Sequence, residues 1–265
     1  VIFMTDISTD CSNYCLLNIK KYDDPRKAKK KLIFVDPDVM SLRTHREYPL
    51  IDKLLWLANG HLQPNEYLGL DMPSDMNHQY EDEFIRKSIE RNWQFKDNLQ
   101  YICGIQYKFL DINNFKIQMK ALEPIYDHKQ KIVGLGNLCR LLLGRRKKTN
   151  PEYVYFQQII NYIIENKEKF YWIHIYGMSK FAICSFIPLL QKHAPKIIIS
   201  VDNTKWTKCG NKELHDKYVL PKGQSQLLPT THKMTGVGCT KANRNEFLEI
   251  GYIKDFKKAN IKIQY

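Results

Sequence analysis

Apolar positions in this chain come in short blocks rather than singly. Six runs, Leu32–Val35, Tyr67–Leu70, Tyr101–Ile105, Lys131–Leu135, Trp172–Ile175 and Ile197–Val201, are each followed by a polar or glycine residue: Asp36, Asp71, Gln106, Gly136, Tyr176 and Asp202. These closing positions recur at intervals of 26 to 40 residues. A run of four or five consecutive apolar residues suits a strand buried on both faces, as in parallel sheets. Ile2–Thr5, ending near Asp6, reads as an earlier strand of the same kind. Between the runs, apolar residues fall at helical spacing over Pro49–Asn59, Tyr80–Trp93, Phe115–Ile125, Glu152–Lys167 and Lys180–His193, with Pro188 expected to kink or shorten the last.

Strands alternating with helices at this spacing imply βαβ units and an α/β fold built on a parallel sheet. Seven such units are visible, and a closed TIM-type (β/α)8 barrel needs eight strands. The missing strand is expected either before Val1 or from Ile261–Gln264, so the barrel is read as incomplete or modified; an open doubly wound sheet is the rival. In both folds ligands bind at the carboxyl ends of the strands, where the closing residues of the runs would gather. After Trp206 the pattern gives way to Gly-, Lys-, Thr- and His-rich text. Residues 1–206 are therefore assigned to a barrel-like catalytic domain and 207–265 to an irregular extension packed on it.

Composition adds a partner. The 265 residues carry 41 Lys and Arg against 28 Asp and Glu, a formal charge of +13, which favours a polyanion such as nucleic acid. Two basic runs stand out. Lys20, Lys21, Arg26, Lys27, Lys29, Lys30 and Lys31 precede a strand and are expected on the amino-terminal side of the sheet. Arg145, Arg146, Lys147 and Lys148 follow the Lys131–Leu135 strand and are expected, with Lys205, on the active face as phosphate contacts. A solvated, Lys-rich surface is the plainer explanation of both. No run of about 18 apolar residues exists, so no membrane span is expected. The start, VIFMTDIST, lacks the basic residues and cleavage site of a secretory signal. Val1 stands where an initiator Met would, so the numbered chain is expected to begin within a longer one. Seven scattered cysteines fit reduced thiols in the cytoplasm.

The ordered set VDPDVMS (35–41), LGLDMPSDM (68–76), GIQY (104–107), VGLGNLCR (133–140), HIYGMSK (174–180) and SVDNTKW (200–206) resembles the DpdA proteins, the deazapurine DNA-modification branch related to the tRNA-guanine transglycosylases. The resemblance covers roughly residues 32–206. It implies a TIM-type barrel, a virus- or phage-encoded setting in the host cytoplasm, and a pentosyltransferase that exchanges guanine in DNA for a 7-deazaguanine such as 7-cyano-7-deazaguanine. Asp202 matches the family's nucleophile and Asp36 its acid/base aspartate. Asp71 matches the acceptor for the guanine N1 hydrogen and amino group.

The residue types suit these roles. A carboxylate can hold the sugar carbon as a covalent intermediate, and a second can take the proton of the incoming base. Two displacements at one carbon retain its configuration. The Gln106 amide can donate to a guanine O6. Gly134 and Gly136 have no side chains to block a base. The target base must leave its stack, and Tyr107 and Trp206 are candidate stacking surfaces. His174, inside an apolar strand, is placed in the pocket lining or the core. Each has a plainer reading: helix caps for the aspartates, loop contacts for Gln106 and Gly136, core packing for the aromatics. Asp38 and Asp75 remain alternatives to Asp36 and Asp71.

Two departures from the family pattern bear on substrate. Pro37-Asp38-Val39-Met40 replaces a small Ser-Gly-Gly type turn. The compact zinc cluster of the tRNA enzymes is represented only by the loosely spaced Cys209, His215, His232 and Cys239, so no cofactor is expected and zinc is the weaker alternative. DNA and a free 7-deazaguanine are the expected partners, with room for a helper protein that opens the duplex. A tRNA substrate, or a catalytically silent nucleic-acid-binding barrel, are the alternatives.

Overall fold

The computed structural model describes residues 2–6, 14–37, 50–70, 81–127, 129–138, 151–177 and 190–202. Eight strands lie among them: β1 (Ile2–Asp6), β2 (Tyr14–Asn18), β3 (Leu32–Asp36), β4 (Glu66–Leu68), β5 (Cys103–Ile105), β6 (Ile132–Leu135), β7 (Trp172–Ile175) and β8 (Ile198–Asp202). The helices are α1 (Ile51–Trp56), α2 (Glu81–Gln94), α3 (Ile112–Tyr126) and α4 (Pro151–Glu165). Residues 190–193 are also helical.

The strands form a sheet in the order β4-β3-β2-β1-β8-β7-β6-β5, and every pairing is parallel. The two end strands also meet. Leu68 of β4 bridges Tyr101, just before β5, through Leu68 N to Gln100 O at 2.9 Å and Ile102 N to Leu68 O at 2.8 Å. One step further the ladder is replaced by a side chain. Ile105 O accepts from Gly136 N on the β6 side, so the backbone groups of Gly104 face the β4 side. There they meet the buried Asn92 of α2, whose carboxamide accepts from Gly104 N at 3.0 Å and donates to Gly104 O at 2.7 Å. Buried peptide groups need partners, and Asn92 supplies both where β4 does not.

The eighth strand is β2, not a segment before Val1; Ile261–Gln264 lies outside the described residues, as does all of 203–265. Residues 7–13, which separate β1 from β2, lie outside the described residues. The carboxyl end of β2 is closed by Asn18, whose side chain accepts from Lys20 N at 2.9 Å to cap a 3-10 turn over Ile19–Lys21. A second such turn, Pro25–Lys29, is capped by Asp24. Lys20 and Lys21 thus follow the carboxyl end of β2, while Lys30 and Lys31 lead into β3. Only the later part of that basic run sits on the amino-terminal side expected for all of it.

Helices cover one face of the sheet. In α3 the Asp111 side chain accepts from Asn114 N at 2.9 Å, an N-cap, and Phe115, Met119, Leu122, Ile125 and Tyr126 are buried at helical spacing. In α4, Tyr155, Phe156, Ile159, Ile160 and Ile163 do the same, and both helices pack on β5 to β8 in one core. A second core joins α1 to β2, β3 and β4. The third core lies on the opposite face and draws on every strand or its edge: Met4, Tyr14, Leu16, Leu32, Phe34, Tyr67, Ile102, Ile132, Trp172 and Ile198. Phe34 of β3 lies 5.7 Å, between ring centroids, from Trp172 of β7, four places along the sheet. That face of the sheet therefore packs on itself.

Candidate active site

Register brings four of the six run-closing residues into one row. Ile105, Leu135, Ile175 and Val201 are partners across β5, β6, β7 and β8. The next residues along these strands are Gln106, Gly136, Tyr176 and Asp202. The ladder continues to them, since Gly136 N donates to Ile105 O at 3.1 Å and Tyr176 N to Leu135 O at 3.2 Å. On the other side, Asp36 closes β3 in register with Asn18. The layer beneath ties the two sides together. Phe34, two residues before Asp36, lies 4.7 Å from the ring of His174, two residues before Tyr176. His174 in turn meets Ser200, two residues before Asp202, at 2.8 Å. Side chains two apart share a face, so Asp36 and Asp202 both stand above one contacting set.

Asp202 is the best-defined acid. Its Oδ1 accepts from Gly177 N at 2.7 Å and lies 3.4 Å from His174 Nε2. Gly177 has φ of +60°, a conformation that costs glycine nothing and turns its N–H toward the carboxylate. His174 and Ser200 are fully buried, and Trp172 Nε1 donates to Ser200 Oγ at 2.7 Å. Asp36 is half-buried and so is Tyr176.

The glycines have a different use from the one expected. A Cβ at Gly134 would come within 2.6 Å of the Tyr176 ring, and one at Gly69 within 3.1 Å of its hydroxyl. A Cβ at Gly136 would collide with the Gln106 carboxamide. The room at Gly134 and Gly136 is thus taken by Tyr176 and Gln106 rather than left open for a base. Tyr107 is likewise corrected. It is fully buried against Phe115 and Tyr155, donates its hydroxyl to Gly136 O at 2.6 Å, and is a core residue rather than a stacking surface. Asn137, in the left-handed region at φ of +59°, donates to Tyr107 O at 2.5 Å. These two bonds strap the ends of β5 and β6 together and hold Gln106 beside Gly136. His174 is a core histidine lining the underside of the site.

Gly177, Ser200 and Trp172 are the candidate-site positions that motif reading passed over, and Tyr176 was marked only as the end of a run. The signal for Ser200 and Trp172 is period-two alternation, two and four residues from Asp202 and Tyr176 along β8 and β7. Asp71, Asp38, Asp75, Arg145, Arg146, Lys147, Lys148, Lys205 and Trp206 lie outside the described residues. So do Cys209, His215, His232 and Cys239. Among the described residues no group of three His, Cys, Asp or Glu side chains is arranged to hold a metal ion, and no helix is long and apolar enough to cross a membrane.

Three shifted groups lie near the amino ends of the strands. Burial holds the Lys131 ammonium down to about 8 and pushes the neighbouring Cys103 thiol up to about 12. Burial, then the hydrogen bond to Glu66, raises the Tyr22 hydroxyl. Comparison of the chain with protein-family models, curated proteins and solved structures found no match, and the functional reading rests on the residues and their geometry.

Proposed function

We propose that the eight strands close into a TIM-type (β/α)8 barrel and that the protein is a transglycosylase, exchanging guanine in DNA for a 7-deazaguanine through Asp202 and Asp36. Closure is supported by the Leu68–Tyr101 bridge and by an inner core with side chains from all eight strands or their edges. Catalysis is supported by one observation above the rest. Asp202, Tyr176, Gly136 and Gln106 form a single row at the carboxyl ends of β8 to β5, with Asp36 above the same buried contacts.

The chemistry runs as two displacements. An Asp202 oxygen donates an electron pair to the sugar C1′, and the C1′–N9 bond breaks with its pair leaving on guanine, which takes up a proton. The incoming deazaguanine loses its N9 proton to Asp36. Its N9 then attacks C1′ and displaces Asp202, leaving the strand intact. The target base is flipped out of the stack to reach the acid, and Gln106 reads its O6 edge. The positive charge of the chain draws in the phosphate backbone. The site needs no metal for this route, and the setting proposed is the cytoplasm.

The full-length protein is incubated with labelled guanine or 7-cyano-7-deazaguanine and either duplex DNA or tRNA. Label is expected in DNA. Label entering tRNA alone would move the substrate to the tRNA branch, and no label in either would leave a binding module.

A further inference from the structure

Beneath the row of Asp202 runs a buried chain of hydrogen bonds that the exchange mechanism does not itself use. The Trp172 indole can only donate, and its Nε1 lies 2.7 Å from Ser200 Oγ. The same hydroxyl lies 2.8 Å from His174 Nδ1. Ser200 is fully buried, so its proton needs an acceptor close at hand, and among the described residues Nδ1 is placed to be that acceptor. A serine that accepts from tryptophan and donates to Nδ1 leaves the neutral imidazole with its proton on Nε2. That nitrogen is buried too. Asp202 Oδ1 lies 3.4 Å from it, too poorly aligned for a hydrogen bond, and receives Gly177 N–H at 2.7 Å.

Resting on the proposed role of Asp202 as nucleophile, we infer that His174 is a positioning residue: Trp172 and Ser200 fix its Nε2–H tautomer, Gly177 N–H holds Asp202 Oδ1 by a hydrogen bond while the Nε2–H beside it attracts the same oxygen, and Oδ2 is the oxygen that bonds to C1′. Holding one carboxylate oxygen through a hydrogen bond from the turn after β7, with the N–H of His174 facing the same oxygen, limits the rotation of the group. The other oxygen is then aimed outward, above the layer of Phe34 and His174. Pre-set geometry of this kind matters most in the displacement step, where a small misplacement of the attacking atom is expensive. His174 touches neither base nor sugar in this scheme. The aromatic contacts on its ring, from Phe34 at 4.7 Å and Tyr176 at 4.5 Å, keep water from competing for Nε2.

Two measurements test this. Nitrogen-15 NMR of histidine-labelled full-length protein is expected to show His174 protonated at Nε2 and bare at Nδ1, with mixed tautomers in Ser200→Ala. A proton on Nδ1 in the unaltered protein overturns the inference whatever the activity. In single-turnover exchange with labelled guanine, His174→Phe is expected to slow covalent adduct formation by about 10–100-fold while the KM for the base stays within about twofold. His174→Gln, whose amide can donate from the same place, is expected to recover most of that loss. A folded His174→Phe with undiminished adduct formation overturns the positioning role. Asp202→Ala separates the two claims: an adduct that survives it removes the nucleophile reading, while the tautomer measurement stands as a test of the relay alone.

Discussion

The two ends of the sheet handle buried charge in opposite ways. At the amino ends, Glu66 opens β4 fully buried and is closely partnered. It accepts from the Tyr22 hydroxyl at 2.5 Å and Gln63 N at 3.0 Å, and it pairs with Lys27 at 2.9 Å. Lys131, just before β6, is also fully buried and spends its three hydrogens on Phe95 O, Lys96 O and Asn98 O, at 3.0, 2.7 and 3.1 Å, where the chain leaves α2. At the carboxyl ends, Asp202 has one oxygen held while Asp36 and Tyr176 stay half-open to solvent. Buried charges with a counter-charge or a full set of hydrogen bonds hold elements in place, whereas a carboxylate at a solvent-open rim can take a substrate. The difference separates an end built for stability from an end available for chemistry, as expected of a parallel α/β sheet.

The sharpest way to break this contrast is Asp202→Asn. The amide keeps an oxygen for Gly177 N–H and fills the same volume but cannot attack C1′. Exchange is expected to fall by about 10⁴-fold or more, with thermal unfolding nearly unchanged. A variant that lost stability instead would put Asp202 in the same class as Glu66.

Lys27→Met should do the reverse. It leaves the buried Glu66 without its counter-charge, and urea unfolding is expected to show a loss of about 2–4 kcal/mol, less than for a wholly buried pair because Lys27 keeps some contact with water. The exchange rate per folded molecule should hold.

Lys131 gives a test in pH. Its folded pKa of about 8 lies below its ordinary 10.5, so between these values the unfolded chain binds a proton that the folded one does not, and the stability owed to this group rises with pH across that window. Cys103 acts oppositely: its thiol is raised, so its contribution is lost as pH rises from about 9 towards 12. Measuring the protein against Lys131→Met at each pH cancels the part of the cysteine's contribution that comes from burial, its larger cause. The variant is expected to be destabilised at every pH through the carbonyls left without a donor, and the gap should widen by on the order of 2 kcal/mol from pH 8 to pH 10. A constant gap would mean that Lys131 keeps its proton throughout.

The sequence carried the periodic part of this molecule well. Runs such as Leu32–Val35 and Trp172–Ile175 are apolar because both faces of the strand are covered, and that pattern needs no knowledge of neighbours. β2 escaped notice because its alternation is weak, with Tyr14 and Leu16 on the face away from the helices and Cys15 and Leu17 in the core with α1, and because it follows β1 at a shorter interval than the other runs keep. The ends of the runs marked Gln106, Gly136, Tyr176 and Asp202 correctly as neighbours in space. What filled the space between them could not be read, since it depends on which side chain leans over which glycine. Tyr176 crosses from β7 toward Gly134 and Gly69, and nothing in the spacing of those residues announces it. Tyr107 looked available for the same reason: its hydroxyl is spent on a carbonyl 29 residues away in sequence.

The finest test sets two glycines side by side. Gly104 and Gly134 are register partners on β5 and β6, yet a Cβ at Gly104 would meet nothing within 4 Å while one at Gly134 would strike Tyr176 at 2.6 Å and Ile102 at 3.0 Å. Gly104→Ala is expected to be neutral or to gain about 0.5 kcal/mol, because alanine loses less chain entropy on folding. Gly134→Ala is expected to cost about 1–2 kcal/mol, the price of overpacking a well-filled spot. Ile102 is buried and has little room to move, whereas Tyr176 at the rim can swing outward, so the strain should be relieved through the tyrosine. Base affinity would then change along with stability, and adding Tyr176→Leu to Gly134→Ala should recover most of the lost stability. If the two single alanine variants melt together, the Tyr176 ring does not lie over Gly134, and the inner face of the site is more open than the geometry of the glycines implies.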